Sequence, residues 1–285
     1  MRRTVALIIG TPYCGSSLLN LLLDSQPAVR GLGEALNLLP GQPPAPCSRC
    51  GEHVGACPLY KATDRSRFYG SLFDFYPNSS VLIDSSKDFS WCFLLHRFEP
   101  AFAYKPIVLS KAPHEFARSW LGHHPGDSAP AAYLRYIEFY TQQLDWLACQ
   151  PWFTPGDCKA IAYRELARRP QRALKGVCDF LGVPYSWDPA WWRSDSHIIG
   201  GNGIVSAQTS PAPTGAARDP DYLNGKYRGR FHTIFYDAQW RTDAAQLRAF
   251  RTLYRQFAPR LESLLQALGQ PDCRQLDLEL QSCAP

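Results

Sequence analysis

Apolar residues run along this chain in two rhythms. Short, nearly unbroken runs occur at residues 5–9, 81–83, 107–109 and 159–162. Runs of that length, without alternation, predict strands buried on both faces of a parallel sheet. Longer stretches repeat their apolar residues at helical spacing. Residues 18–23 open one helix directly behind the first strand, and residues 131–147 carry aromatics and leucines at the period of another. Residues 172–181 end at Gly182, with Pro184 just beyond, which is a normal helix stop. The last pattern, Leu247, Phe250, Tyr254, Phe257, Leu261, Leu265 and Leu268, predicts an amphipathic helix interrupted or kinked at Pro259. Helical patterns between and after the strands predict an α/β fold, a central parallel sheet flanked by helices and linked by right-handed crossovers. One domain over residues 1–285 is expected, with its core at about 4–268 and a C-terminal tail at 269–285. Two segments follow neither rhythm. Residues 40–46 are Pro-rich, and residues 202–229, rich in Gly, Pro, Ser and Asn, predict a long functional or disordered loop.

Composition narrows the class. The 285 residues, 45% hydrophobic and 19% charged, suffice for one large core and do not have the composition of a disordered chain. A net charge of +5 suits an anionic small molecule and is too mild and scattered for nucleic acid. No run reaches the roughly 18–20 apolar residues of a membrane-spanning helix. Arg2-Arg3 leads straight into the first strand, without the apolar stretch and small-residue exit of a signal peptide. The expectation is a cytoplasmic protein with no transmembrane segment. Of its ten cysteines, Cys47, Cys50 and Cys57 form one cluster, in Cys-Ser-Arg-Cys-Gly-Glu-His-Val-Gly-Ala-Cys-Pro. These thiols with His53 have donors for zinc, although two ligand pairs at zinc-site spacing are not evident. Structural thiols and a disulfide within the loop are the other two readings. Cys92, Cys149, Cys158 and Cys178 lie in apolar surroundings and are expected as small core residues.

The chemistry starts behind the first strand, at Gly10-Thr11-Pro12-Tyr13-Cys14-Gly15-Ser16-Ser17-Leu18-Leu19. A strand, a Gly-containing turn with small hydroxyl residues and a helix together make an anion site, because the free amides and positive dipole end of the first helical turn face the turn. No Gly-Lys-Ser/Thr follows, so the turn is not a Walker A loop.

This turn resembles the first loop of sulfotransferases, Gly-x-Pro-Arg/Lys-Ser-Gly-Thr/Ser-Thr, which holds the 5′-phosphosulfate of the donor 3′-phosphoadenosine-5′-phosphosulfate (PAPS). Gly10, Pro12, Gly15, Ser16 and Ser17 match it, while Tyr13 replaces the basic residue and Cys14 the usual Ser. The resemblance implies that Thr11, Pro12, Cys14, Gly15, Ser16, Ser17 and Leu18 bind the donor, with Tyr13 as a hydrogen-bond donor to the transferring group. Lys111 and Ser119, eight residues apart, are similar to the 3′-phosphate motif, with Lys in place of Arg. Lysine neutralises a phosphate as a point charge and lacks the guanidinium fork. Glu34, twenty-one residues after Tyr13, resembles the Gly-Glu general base of tyrosylprotein sulfotransferases and bacterial relatives. Asp84-Ser85-Ser86-Lys87 resembles a bacterial Asp-x-Ser-Lys element, which implies Lys87 as the cation at the bridging oxygen.

The region of Tyr163-Arg164-Glu165-Leu166 and Phe180-Leu181-Gly182 looks like a fold-marking stretch of the family, and Tyr163 is assigned to the donor with it. His197-Ile198-Ile199-Gly200-Gly201-Asn202 resembles a bacterial His-x-x-Gly-Gly-Asn stretch, which implies His197 and Asn202 beside the substrate; Val205 stands where an Arg is common. Arg228 and Gly229 match a basic-Gly pair at the 3′-phosphate. The resemblance runs from about residue 4 to residue 245. It implies a P-loop-like sulfotransferase fold and in-line transfer of a sulfuryl group from PAPS to a hydroxyl or amine of a small molecule. PAP would be the product, and no metal is expected at the chemistry. A catalytically degenerate nucleotide-binding protein, or another nucleotide-dependent transferase on the same layout, is the alternative. The loops around residues 40–60, the aromatics Trp120 and those of residues 133–140, and the segment 187–192 are expected to line an acceptor pocket.

Overall fold

Five strands, one more than the apolar runs predict, form the central sheet. The computed structural model describes residues 2–39, 41–42, 45–50, 56–88, 91, 97–201, 234, 236 and 243–282. The strands are β1 (Thr4–Ile9), β2 (Val29–Gly33), β3 (Val81–Asp84), β4 (Ala103–Ser110) and β5 (Lys159–Ala162). The sheet is parallel, in the order β2-β3-β1-β4-β5. Thr4 pairs with Val81 and Leu7 with Asp84, while Val29 of β2 also faces Val81. From β1 the chain goes to the β2 edge, returns to β3, then crosses to β4 and β5. β1 and β4 are therefore neighbours whose connections leave in opposite directions.

The helices are α1 (Ser16–Asp24), α2 (Pro58–Ala62), α3 (Phe68–Phe75), α4 (Pro113–His123), α5 (Ala129–Ala148), α6 (Tyr163–Arg168), α7 (Pro170–Leu181), α8 (Ala244–Ala267) and α9 (Cys273–Ser282). Gly182 caps α7 in the left-handed conformation at φ 74°, as its position predicts. α8 is one helix with Pro259 inside it. The segment expected as a tail contains α9, whose Leu276 and Leu280 are buried. Among the described residues no helix is long and apolar enough to cross a membrane.

By its contacts the chain divides into two units. The first comprises Met1–Ile9, Gly15–Ile107 and Arg169–Phe235, and the second Gly10–Cys14, Val108–Arg168 and Tyr236–Pro285; β4 contributes to both. The first unit explains the missed strand. β2 reads Val-Arg-Gly-Leu-Gly, and its glycines exist for close approach rather than burial of side chains. Buried Asp24 of α1 accepts the Gly31 amide at 2.6 Å, and a Cβ on Gly31 would lie 2.4 Å from Asn20 Nδ2. An apolar periodicity has nothing to register there.

The second unit has an aromatic core of Phe116, Tyr133, Tyr136, Tyr140, Phe250 and Tyr254, each at most 1% exposed. Full burial of such a side chain stabilises by ~1.5–3 kcal/mol. Two of the tyrosine hydroxyls find backbone partners: Tyr136 donates to Lys111 O at 2.9 Å and Tyr140 to Leu109 O at 3.0 Å. Tyr133, Tyr136 and Tyr140 accordingly supply core and do not line a pocket as expected. Glu115 joins three helices. It accepts the Ala112 amide at the start of α4 and the Arg164 guanidinium at 3.0 Å, while Arg164 also reaches Glu279 of α9 at 2.7 Å. Burial pushes the Glu115 carboxyl up, but the charges of His114 and Arg164 and the bonds from Tyr236 and Ala112 outweigh it and hold it below the usual value. Cys178 is buried as expected, Cys158 is half-buried, and Cys149 at the end of α5 is exposed, a departure from the core role expected of it. Cys92 lies outside the described residues.

Candidate functional site

In the first unit, three residues far apart in sequence meet through one ammonium group. Lys87 Nζ donates to Glu34 Oε1 at 3.0 Å, to Ser85 O at 2.9 Å and to Ser16 Oγ at 3.4 Å. Local strain places it: Lys87 has φ 61°, one of two non-glycine residues of positive φ among those described. The loop before it is fixed by Asp84, whose carboxylate accepts the amide and hydroxyl of Ser86 and the hydroxyl of Tyr69, the last at 2.6 Å. Burial raises the Asp84 carboxyl above its usual range. Ser86 in turn accepts the amide of Leu36, two residues from Glu34.

Glu34 ends β2 by donating its own amide to Ile199 O at 2.8 Å, and its second carboxylate oxygen accepts from Asn37 at 3.3 Å. Ser16 is the first residue of α1, behind Gly15 at φ 99°, and the first turn of α1 carries no acidic residue. Its dipole end is therefore open to an anion. Ser17 and Leu18 are half-buried beside it.

The second unit holds the other predicted groups. Lys111, 6% exposed, donates to Ser119 Oγ at 3.0 Å across the first turns of α4, and its ammonium lies 4.5 Å from the centre of the Tyr163 ring. Lys111 and Ser119, expected at the 3′-phosphate, thus form one cluster with Tyr163, which was assigned to the donor. The turn after β1 also lies here. Gly10 runs so close to β4 that a Cβ would meet Leu109 O at 2.6 Å, and Gln143 donates to Gly10 O at 3.2 Å. Thr11 and Cys14 are buried, Pro12 is half-buried, and Cys14 N donates to Thr11 O at 3.3 Å. Tyr13 has φ 63°; its ring stacks on His123 at 4.2 Å and its hydroxyl lies 3.5 Å from His124 Nε2. Trp120 stacks on His124 at 4.0 Å. Where the resemblance has one basic side chain, this chain has a tyrosine among two imidazoles. His123 and His124 gave no sequence signal, since a helix C-terminus is an ordinary place for histidine.

The structure moves one predicted site residue. His197, expected at the substrate, lies among the cysteines: its Nδ1 is 3.4 Å from Cys47 Sγ, 3.4 Å from Cys50 Sγ and 3.2 Å from Cys57 Sγ. Among the described residues these four form a group able to hold a metal ion, with all ligand atoms within 4.8 Å of one another. The hydrogen bond between Cys57 and Cys47 at 3.6 Å holds the Cys57 thiol down to about 5 against the opposing effect of burial. His53, Asn202, Val205, Arg228 and Gly229 lie outside the described residues.

No family model matches the chain, and no curated protein matches it. Solved structures do. The sulfotransferase domain from the curacin biosynthetic pathway aligns over 95% of this chain and 99% of its own, at 20% identity and a TM-score of 0.57. A sulfotransferase from Alicyclobacillus acidocaldarius aligns over 95% and 98%, at 18% identity and a TM-score of 0.49. A mouse sulfotransferase complexed with PAP aligns over 99% and 89%, at 12% identity and a TM-score of 0.46. With the parallel sheet and its strand order, the first of these likenesses establishes the architecture: this chain has the sulfotransferase fold.

Proposed function

We propose that this protein is a sulfotransferase that takes PAPS as donor and a hydroxyl or amine of a small molecule as acceptor, with PAP as the released product. The observation that carries the reading is the meeting of Ser16, Glu34 and Lys87. In-line transfer needs a group that holds the donor's anionic end, a cation for the oxygen that leaves, and a base for the proton of the attacking group. One ammonium here spans the helix start that would hold the anion and the carboxylate that would act as base.

The residues fit the donor. Its 5′ end suits the amides and hydroxyls of Gly15, Ser16 and Ser17 at an N-terminus free of acidic residues. A 3′-phosphate suits the buried Lys111 with Ser119. When bound, the donor supplies a sulfuryl group on an anhydride oxygen that leaves with the bisphosphate. The acceptor oxygen or nitrogen would form a bond to sulfur as the bond from sulfur to the anhydride oxygen breaks. Glu34 takes the acceptor's proton, and Lys87 donates a hydrogen bond to the oxygen on which charge grows. Tyr13 donates from its hydroxyl to the transferring group; it brings no charge at neutral pH. Amides and cations suffice to neutralise the developing charge, so the reaction itself is written without a metal. The cytoplasm is the place of action in this reading.

The test is calorimetric binding of adenosine 3′,5′-bisphosphate with ADP as comparison. A clear preference for the bisphosphate supports the reading and leaves acceptors to be screened by PAP release. Equal or absent binding overturns it. A chain that prefers the bisphosphate but never releases PAP from PAPS would be a binding protein that has lost transfer.

A further inference from the structure

We propose that Cys47, Cys50, Cys57 and His197 Nδ1 bind one Zn²⁺ as a closed structural site, and that this ion fixes the strand segment on which Glu34 is hung. The geometry is that of a tetrahedral ion. With bonds of about 2.3 Å to sulfur and about 2.0–2.1 Å to nitrogen, such an ion holds its sulfurs about 3.8 Å apart and each sulfur about 3.6 Å from the nitrogen. The Cys47–Cys57 separation is 3.6 Å, and the three distances from sulfur to Nδ1 are 3.4, 3.4 and 3.2 Å. These four separations are slightly shorter than those of a tetrahedral zinc centre, and all four ligand atoms lie within 4.8 Å of one another. Cys47 and Cys57 are fully buried, His197 is 8% exposed and Cys50 is half-buried, and four protein ligands leave no open position for substrate or water. Three soft thiolates and one imidazole in a tetrahedron select zinc over magnesium or calcium. Binding releases the thiol protons to solvent and leaves the centre with one net negative charge when all three thiolates ligate.

The site's place in the fold gives it a task. His197 opens a three-residue strap, 198–200, that is hydrogen-bonded on both sides. On one side Ser48 N donates to Ile198 O and Gly200 N to Pro46 O, both at 2.9 Å, which ties the strap to the cysteine loop. On the other side Ile199 N donates to Leu32 O and Glu34 N to Ile199 O, both at 2.8 Å, which ties it to the end of β2. Isolated bridges pair Ile199 with both Cys47 and Gly33. The ion would clamp the strap to the cysteine loop, and the strap in turn sets the backbone of Glu34. Glu34's role as base rests on the proposed function; the metal site does not.

Metal analysis of the full chain, purified without chelator or an immobilised-metal column, is the first measurement. The expected result is about one zinc per chain, replaceable by Co²⁺ with the intense thiolate-to-metal and visible bands of tetrahedral cobalt. His197→Ala should lose the metal, whereas His197→Cys, which rebuilds a four-ligand site, should keep it; this second variant separates lost ligation from failed folding. A folded chain without zinc that gives no cobalt bands overturns the proposal, and so does stoichiometric iron. Hydrogen exchange then tests the strap without any turnover: chelation should speed exchange at the amides of Glu34 and Ile199 while β1 stays protected. If zinc leaves and those amides do not change, the link to Glu34 is overturned and the metal site stands. Absence of sulfuryl transfer alongside bound zinc would count against the proposed function alone.

Discussion

Replacing Lys111 by Met tests the donor site without knowledge of the acceptor. The ammonium is 6% exposed, 3.0 Å from Ser119 Oγ and 4.5 Å from the Tyr163 ring centre, so a phosphate beside Ser119 would meet a largely desolvated charge. A hydrogen bond to a charged group is worth about 1.5–3 kcal/mol net. The Coulomb attraction near 4 Å adds up to about 4 kcal/mol at an effective dielectric of 20, before the phosphate's own desolvation is subtracted. A net loss of about 2–4 kcal/mol weakens the bisphosphate by about 30- to 1,000-fold. ADP has no 3′-phosphate and should lose less than about threefold. Met keeps the unbranched stem, and the free chain loses a cation–π contact of ~0.5–2 kcal/mol but is relieved of a buried charge. Those terms oppose each other, so Tm should move by only about 2–4 °C. Titration calorimetry of both nucleotides on both proteins, with a thermal melt of each, reads all of this. Equal weakening of bisphosphate and ADP, or none of either, refutes the assignment. Lys111→Arg should restore most of the bisphosphate preference, since it returns the charge.

Other expectations follow from single contacts. Glu34→Gln keeps an oxygen for Lys87 but removes the proposed base, so kcat should fall by about 10²–10⁴ while PAP affinity stays within about threefold; turnover within about tenfold of the parent would remove Glu34 from the role. Gly200→Ala puts a methyl group 2.9 Å from Glu34 Oε2 at φ +66°, so urea unfolding should show a loss of at least ~1–3 kcal/mol, with kcat lowered and PAP affinity kept; a variant as stable and active as the parent would show that the approach is not tight. Glu115→Gln leaves Arg164 with Glu279 as its remaining carboxylate and should cost about 1.5–3 kcal/mol at neutral pH, the worth of a hydrogen bond to a charged group. The Glu115 carboxyl is held below its ordinary value, so its contribution is present above that ordinary value and lost as pH falls through the folded-state value. The stability gap between parent and variant should therefore narrow on acidification below about 4.5, and a gap that widens there would reverse the sign of the reasoning.

The parts of the fold legible in the sequence are those that bury apolar side chains. β1 and β3 are buried at every position, and their runs of Val, Leu and Ile announce them. Gly182 stops α7 for a local reason, a left-handed φ that the sequence displays directly. β2 was not legible, because its glycines accommodate Asn20 of α1 and Ile199 at distances where a side chain would collide. Its burial is achieved by backbone, and hydropathy cannot register that. α8 continues through Pro259 because propensity is a weak prior beside an apolar face that runs from Leu247 to Leu265. Tyr133, Tyr136 and Tyr140 misled in the opposite direction: aromatic spacing on a helix is the same for a pocket wall and for a core.

Site residues were legible where spacing along one element fixes their meeting, and illegible where it does not. Lys111 and Ser119 are eight residues apart across a strand end and one helix, so their bond follows from the local geometry. The meeting of Ser16, Glu34 and Lys87 depends on three separate strand ends and was legible only through a resemblance in the order of motifs. The cysteine cluster shows the limit of that approach. His53 stood nearer in sequence and His197 was read as part of another motif, 140 residues beyond Cys57. Yet Ile199 bridges both the cysteine loop and β2, so the two motifs meet in one strap that begins at the thiols and ends at the carboxylate. A loop of cysteines far from any chemistry would tolerate loss with little effect on transfer. One that sets the backbone of the proposed base would not, and that difference makes the thiols part of the functional question rather than an ornament of the fold.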